Sequence, residues 1–196
     1  MPGRGNRPLE RVRAWFDEAV AAGVVEPDAM ALATAGPGGR PSVRMVLLKG
    51  IDDRGIRFFT NYESRKGREL AANPRAAVAI HWMPLGRQVR MEGPVERLPA
   101  EESDAYFASR PPGSRIGALA SRQGTVLASR EELEDRAARL AARYGDGPIP
   151  RPQYWGGYLL RPDAVEFWEH RLDRLHDREH FVLQADGSWR AERLEP

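Results

Sequence analysis

Near its C-terminal end the chain carries Arg174-Leu175-His176-Asp177-Arg178, six residues after Phe167-Trp168. Read as an extended segment, this stretch alternates between faces, so Arg174, His176 and Arg178 project together while Leu175 and Asp177 point away. Guanidinium forks match phosphate or carboxylate oxygens in pairs, and an imidazole can move a proton near neutral pH; such an edge suits an anionic, reactive ligand. A second group is Phe59-Thr60-Asn61-Tyr62-Glu63-Ser64-Arg65-Lys66-Gly67-Arg68. Its strand ends at Thr60, Ser64 is positioned to cap a helix over 65–72, and Arg65 and Lys66 fall in the first turn of that helix. Two cations at the positive end of a helix dipole are unfavourable unless an anion sits there, and a phosphate would resolve the conflict.

Two more stretches carry cations in apolar surroundings. Ser42-Val43-Arg44-Met45-Val46-Leu47-Leu48-Lys49 reads as an apolar strand with a cation near each end. Each cation is expected at a rim with its own partner, and strand alternation puts Arg44 and Lys49 on opposite faces. In Tyr106-Phe107-Ala108-Ser109-Arg110-Pro111-Pro112-Gly113-Ser114, Tyr106 and Arg110 share a helix face, and the prolines turn the chain toward Ser114. Phenol, guanidinium and hydroxyl form a second donor cluster of phosphate size.

The elements that must position these groups are mostly strands. Leu9, Val12, Trp15, Phe16 and Val20 lie on one side of a helical wheel, so 9–22 reads as an amphipathic helix ending at Gly23 and packing on the body as a lid. Strands are expected at 29–35, 42–49, 55–60, 76–82 and 87–98, helices at 100–109 and 130–144, a strand at 154–161 and a final pair near 174–194. Short strands at this spacing favour an antiparallel barrel with helices, an α+β architecture. Residues 1–8 read as a short tail and 9–196 as one domain.

Composition narrows the function classes. The 30 basic and 28 acidic residues nearly balance, leaving a net charge of +2, so any basic site must be local and nucleic-acid binding is weakly supported. There is no cysteine, which removes thiolate metal sites, disulfides and cysteine nucleophiles, and no metal site is expected. No apolar run reaches membrane-spanning length and the N-terminus lacks a signal-peptide core, so a cytoplasmic protein without membrane attachment is expected. Neither a Rossmann fingerprint nor a Walker loop is present.

Taken in order, Arg44-Met45-Val46-Leu47-Leu48-Lys49, Phe59-Thr60-Asn61 with Ser64-Arg65-Lys66, Arg87-Gln88-Val89, Tyr106-Phe107 with Ser109-Arg110-Pro111, Ser121-Arg122-Gln123, Trp155-Gly156-Gly157, Phe167-Trp168 and the 174–178 stretch resemble the pyridoxine/pyridoxamine 5′-phosphate oxidases. The resemblance spans roughly residues 10–196. It implies an FMN-binding split β-barrel that is homodimeric, with flavin sites at the subunit interface. It implies oxidation of pyridoxine or pyridoxamine 5′-phosphate to pyridoxal 5′-phosphate, with molecular oxygen reduced to hydrogen peroxide. Carried over by position, Arg44, Met45, Val46, Leu47, Leu48, Lys49, Phe59, Thr60, Arg65 and Lys66 would hold FMN, completed by Gln88, Gln123, Gly124, Trp168 and Arg178 across the interface. Lys49, Tyr106, Arg110 and Ser114 would hold the substrate phosphate. Arg174, Leu175 and His176 would lie against the pyridine ring, with Arg174 and His176 catalytic and Arg174 assisting loss of the substrate's proton.

The sequence departs from the family pattern at three places. The family usually has a longer N-terminal arm folding over the substrate, whereas Met1 to Pro8 precede the first helix here; Glu169-His170 replaces the usual Gln-Gly; and Gly124 stands where a hydroxyl residue is common. Glu169 is expected either to face the flavin or to pair with Arg171. Two other readings are an oxidase of the same flavin fold acting on another substrate, such as a phenazine-pathway oxidase, and a non-catalytic module that carries flavin or pyridoxal phosphate.

Overall fold

The computed structural model describes residues 8–196, so the tail expected at 1–8 lies outside it except for Pro8, which opens the first helix. Helix α1 (Pro8–Ala21) is followed by β1 (Ala29–Ala35), β2 (Pro41–Leu47), β3 (Gly50–Asp52), β4 (Gly55–Asn61), α2 (Arg65–Ala72), β5 (Arg75–Trp82) and β6 (Arg87–Arg97). Helices α3 (Ala100–Ser109), α4 (Pro112–Ala120) and α5 (Arg130–Tyr144) come next. Strands β7 (Trp155–Leu160), β8 (Ala164–Glu169), β9 (Asp177–Leu183) and β10 (Trp189–Arg193) close the chain.

Every strand pairing among the described residues is antiparallel. The main path runs β10-β9-β8-β6-β5-β1-β2, and β7 branches from β6 to β4 and β3. Strand β6 makes the branch possible. Its residues Arg87–Glu92 pair with β8, whereas Val95–Arg97 pair with β7. The change of partner falls at Gly93-Pro94, where a Cβ on Gly93 would lie 2.1 Å from the Arg161 carbonyl oxygen. Such a bend curls one sheet into a barrel-like shell.

Alternation sorts the side chains. On β1, Met30, Leu32 and Thr34 point inward while Ala29, Ala31, Ala33 and Ala35 face outward. Met30, Leu32, Ile56, Phe58, Val78, Ile80, Val89 and Phe167 fill the shell. Helix α1 adds Val12, Trp15 and Ala19 to that core, and Trp15 meets Phe167 edge-on at 5.0 Å. The helix therefore plugs the barrel and is part of its core, in contrast to the expected lid. A second cluster of Phe107, Ile116, Ile149 and Trp155 seats α3, α4 and α5 beside β4.

Several expected boundaries change. The strand expected at 42–49 stops at Leu47, and β3 was not anticipated. Leu48 is a buried core residue. Helix α4 occupies the stretch read as a proline turn, because Pro112 sits in its first turn, where the missing N–H costs nothing. Strand β8 was also unexpected; its first four residues are all buried, which removes the alternation that marks a half-exposed strand.

Candidate active site

The largest concentration of the expected site residues surrounds a cavity of about 500 Å³ between β2, β4, α3 and α4. Met45, Val46, Leu47 and Lys49 form one wall, and Phe59, Thr60, Asn61 and Lys66 form the floor. Tyr106, Arg110 and Ser114 close it from α3 and α4, with Gln123 and Trp155 at the rim. None of the lining residues is a carboxylate.

Lys66 is the chemical centre of the floor. Gly67 beside it is required, since a Cβ there would lie 2.0 Å from the Tyr62 carbonyl oxygen; this contact locks the first turn of α2 against β4. Ser64 caps the helix as expected, accepting from the Gly67 N–H at 3.3 Å. The Lys66 side chain is buried, and its Nζ donates to Thr60 Oγ1 at 3.1 Å, Gln123 Oε1 at 3.1 Å and Ser64 Oγ at 3.3 Å. Among the described residues it has no carboxylate partner. Burial, reinforced by the Arg44 charge, pushes its ammonium down to about 8. A buried cation without a counter-ion is costly unless an anion joins it.

Arg110 shows the same signature on the opposite wall. Its guanidinium lies over the Trp155 ring at 4.8 Å, and one of its nitrogens is buried without a hydrogen-bond partner. Burial pushes its proton affinity below the ordinary value. Tyr106 stacks on Phe59 with ring centroids 3.8 Å apart, which fixes the phenol at the cavity. Ser114 lines the same wall from the first turn of α4. Lys49 also lines the cavity, but its ammonium is already paired with Asp28 at 2.6 Å.

The other expected residues lie elsewhere. Arg65 is 56% exposed on the first turn of α2, pairs with Glu69 at 2.8 Å and does not line the cavity with Lys66. Arg44 donates to the Leu32 carbonyl at 3.1 Å and to Thr34 Oγ1 at 2.6 Å, also with Glu69 as a partner. Each cation of the 42–49 stretch thus has its own partner, as expected. Gly124 lies over the start of α2, where a Cβ would come 4.0 Å from the Arg65 amide nitrogen.

Gln88, Trp168, His176 and Arg178 form a separate group. Gln88 and Trp168 face each other across β6 and β8, and Trp168 faces Arg178 on β9. From β8 to β2 the path crosses β6, β5 and β1, on the order of 19 Å along the sheet at about 4.8 Å per strand. The two groups do not meet within one chain.

The expected single face of Arg174, His176 and Arg178 is not present. Leu172–Arg174 forms a 3-10 turn, and β9 begins only at Asp177. Asp173 and Arg174 have φ of 58° and 61°, the left-handed region that non-glycine residues enter at a cost of roughly 1–2 kcal/mol each. His176 and Arg178 do share a cleft of about 260 Å³, whereas Arg174 is outside its walls. The His176 ring packs on Trp168 at 4.5 Å, and its Nδ1 accepts the Arg171 N–H at 3.1 Å. In the neutral ring this leaves Nε2 as the donor. Arg178 donates to the buried Glu166 at 2.9 and 3.2 Å. Leu175 is 71% exposed. Glu169 lies between Arg11 at 3.6 Å and Arg87 at 3.7 Å, while Arg171 takes Asp177, so the Glu169–Arg171 pair does not form.

Sequence reasoning passed over Asn61, Ser121 and Trp155 as cavity residues. The flat ring of Trp155 between Tyr106 and Arg110 was foreshadowed only by its place in Trp155-Gly156-Gly157.

Comparison with known proteins bears directly on this arrangement. Residues 16–144 match the pyridoxamine 5′-phosphate oxidase family, and residues 155–196 match the pyridoxine 5′-phosphate oxidase C-terminal dimerisation region. The chain belongs to this oxidase family. It is 56% identical over 189 residues, 96% of its length and 89% of the relative's, to a pyridoxine/pyridoxamine 5′-phosphate oxidase of Cupriavidus pinatubonensis. To the protein of that name in Salinibacter ruber it is 57% identical over 191 residues, with the same coverage of 96% and 89%. The crystal structure of PhzG from Burkholderia lata in complex with tetrahydrophenazine-1-carboxylic acid matches with a TM-score of 0.94 at 35% identity, over 100% of this chain and 97% of that one. An FMN binding protein of Nostoc punctiforme related to pyridoxamine 5′-phosphate oxidase shares the fold, with a TM-score of 0.77 at 20% identity over 99% and 100% of the two chains. The curled antiparallel sheet is thus the split barrel of these oxidases.

Proposed function

We propose that the cavity between β2, β4, α3 and α4 receives FMN and a phosphorylated B6 vitamer, and that the protein oxidises pyridoxine or pyridoxamine 5′-phosphate to pyridoxal 5′-phosphate. One observation carries this reading: a buried cation, Lys66, and a half-buried one, Arg110, with a buried unpartnered guanidinium nitrogen, face a single cavity that offers them no carboxylate. Lys66 and Thr60 hold the flavin phosphate at the start of α2, and Arg44 and Arg65, which lie outside the cavity lining, flank it. Arg110, Tyr106, Ser114 and Lys49 hold the substrate phosphate on the facing wall. The cavity volume lies within the range of cofactor and ligand sites, roughly 300–1,000 Å³.

When bound, FMN would supply two-electron oxidation at the C4′ carbon, with molecular oxygen as the final acceptor and hydrogen peroxide as its product. The protein's own groups position and polarise. Two clamped phosphates fix the pyridine ring, which converts a bimolecular encounter into an oriented one. Gln88, Gln123, Gly124, Trp168 and Arg178 would complete the flavin site across the interface. His176, with Nδ1 occupied, presents Nε2–H to the pyridine substituents. Arg174 orients the C4′ hydroxyl or amine and assists loss of its proton.

A second copy of the chain is needed to join the two groups. The outer face of the sheet supports this pairing: Ala31, Ala33, Ala77 and Ala79 line a shallow pocket there with small side chains, and Val43, Met45 and Leu47 on edge strand β2 are 69%, 64% and 45% exposed. Together with the dimerisation region matched at 155–196, this face supports a homodimer with one FMN in each of two interfacial sites.

The test is oxygen consumption by the flavin-loaded protein on a panel of pyridoxine 5′-phosphate, pyridoxamine 5′-phosphate, unphosphorylated pyridoxine and a reduced phenazine carboxylic acid. Turnover of the two phosphorylated vitamers, with pyridoxine slower by a hundredfold or more, is expected. Turnover of the phenazine alone would assign the fold likeness to PhzG a functional meaning and reject the B6 reading.

A further inference from the structure

Four donors converge on one carboxylate that the proposed chemistry leaves unused. Glu69, one helical turn after Arg65 on α2, accepts hydrogen bonds from Thr34 Oγ1 at 2.5 Å, Ser42 Oγ at 2.6 Å, Arg65 Nε at 2.8 Å and Arg44 at 3.3 Å. Its side chain is 11% exposed. Thr34 and Ser42 are cross-strand partners on β1 and β2, and Arg44 is bonded to both hydroxyls as well. Asn73, just past α2, donates to the Ala35 carbonyl at 3.1 Å and pins the helix to β1. The carboxylate therefore sits at a fixed point among the two strands and the helix.

We infer that Glu69 is a positioning residue for the flavin-phosphate site, restraining the Arg44 guanidinium near Lys66 and the Arg65 guanidinium on the first turn of α2 before the anion arrives. This rests on the reading of the α2 N-terminus as that site. Long cationic side chains lose rotamer freedom when they grip a phosphate, and a carboxylate that already restrains them removes part of that cost. The charge balance agrees. Arg44, Arg65 and Lys66 against Glu69 leave two positive charges in excess, matching the roughly two negative charges of a phosphate monoester at neutral pH.

Positioning and plain electrostatics predict opposite signs. A carboxylate near a phosphate repels it, so electrostatics alone makes FMN bind more tightly when Glu69 is removed. Positioning makes it bind more weakly.

The experiment titrates flavin-free protein with FMN and with riboflavin, following flavin fluorescence, for the parent, Glu69→Ala and Glu69→Asp. Glu69→Ala is expected to weaken FMN about tenfold or more and to leave riboflavin within about twofold. Glu69→Asp keeps the charge but withdraws it by one methylene, and is expected to cost FMN about threefold; it decides the matter alone if the alanine variant does not fold. Unchanged or tighter FMN binding in these variants overturns the inference, as does equal weakening of both flavins. A parent that binds FMN and riboflavin equally overturns the phosphate reading itself, so the two failures are distinguishable.

Discussion

Replacing Lys66 by methionine should stabilise the flavin-free protein while weakening its grip on FMN. The ammonium is pushed from an ordinary 10.5 to about 8, which at about 1.4 kcal/mol per tenfold means the buried charge costs folding on the order of 3 kcal/mol at neutral pH. Methionine fills similar space without the charge but gives up the hydrogen bonds to Thr60, Ser64 and Gln123, although Gln123 Oε1 keeps the Thr60 hydroxyl and Ser64 Oγ keeps the Gly67 N–H, returning about 1–2 kcal/mol. A net gain of about 1–2 kcal/mol is expected. The sign follows from the direction of the shift. A base whose folded-state value is depressed carries its full penalty below about pH 8 and sheds it as pH rises toward 10.5, so the variant's advantage should fade over that interval. Urea denaturation of flavin-free parent and variant at neutral pH and near pH 10 measures both effects. FMN affinity should fall about ten- to a hundredfold, the worth of one charge-assisted contact, with riboflavin little changed. The reasoning fails if Lys66→Met destabilises the flavin-free protein at neutral pH, or if it binds FMN like the parent.

Arg110→Met should leave the protein yellow and raise KM for the phosphorylated vitamers about ten- to a hundredfold, read from steady-state oxygen consumption; an unchanged KM would remove Arg110 from the substrate-phosphate site. Arg178→Ala should lower flavin occupancy, whereas Arg174→Ala should retain flavin and lose about two orders of magnitude in kcat/KM, on the order of 3 kcal/mol; an Arg174→Ala protein that purifies colourless would contradict these roles. Met45→Glu, on the 64% exposed edge-strand position, should split the dimer and release flavin, and a flavin-loaded monomer in light scattering would contradict the interfacial site. Glu69 is pushed up by burial, but hydrogen bonds from Ser42, Thr34 and Arg65 overcome this and hold it at about 2, so its contribution is present above about pH 4.5 and lost as pH falls toward 2. Acid unfolding of Glu69→Gln should therefore converge with the parent by about pH 2, and a stability gap constant with pH would refute this.

Much of this architecture is written in local patterns. The alternation of Met30, Leu32 and Thr34 announces β1, and Ser64 before two cations announces the start of α2. Of the two phosphate-sized donor sets that follow from residue type and spacing, Thr60 and Lys66 from one and Tyr106, Arg110 and Ser114 from the other line one cavity. What escaped notice depends on tertiary context. The Arg174 segment is turned by left-handed backbone at Asp173 and Arg174 in the connection between β8 and β9, a conformation that Asp tolerates but that Arg does not signal. Helix α4 hides behind Pro111-Pro112-Gly113, where proline starts a helix instead of breaking one. Arg65 stands four residues before Glu69, a spacing at which a helix pairs opposite charges, yet the carboxylate's hold on Arg44 comes from β2 and is invisible without the fold.

The most direct test of the central claim is a single anaerobic turnover. Flavin-loaded protein is mixed with pyridoxine 5′-phosphate in the absence of oxygen, and the oxidised flavin absorbance is followed together with product. Bleaching of the flavin with one pyridoxal 5′-phosphate formed per flavin, and return of the colour with hydrogen peroxide on admitting oxygen, is the predicted result. Flavin that binds tightly but is not reduced by either phosphorylated vitamer would contradict it.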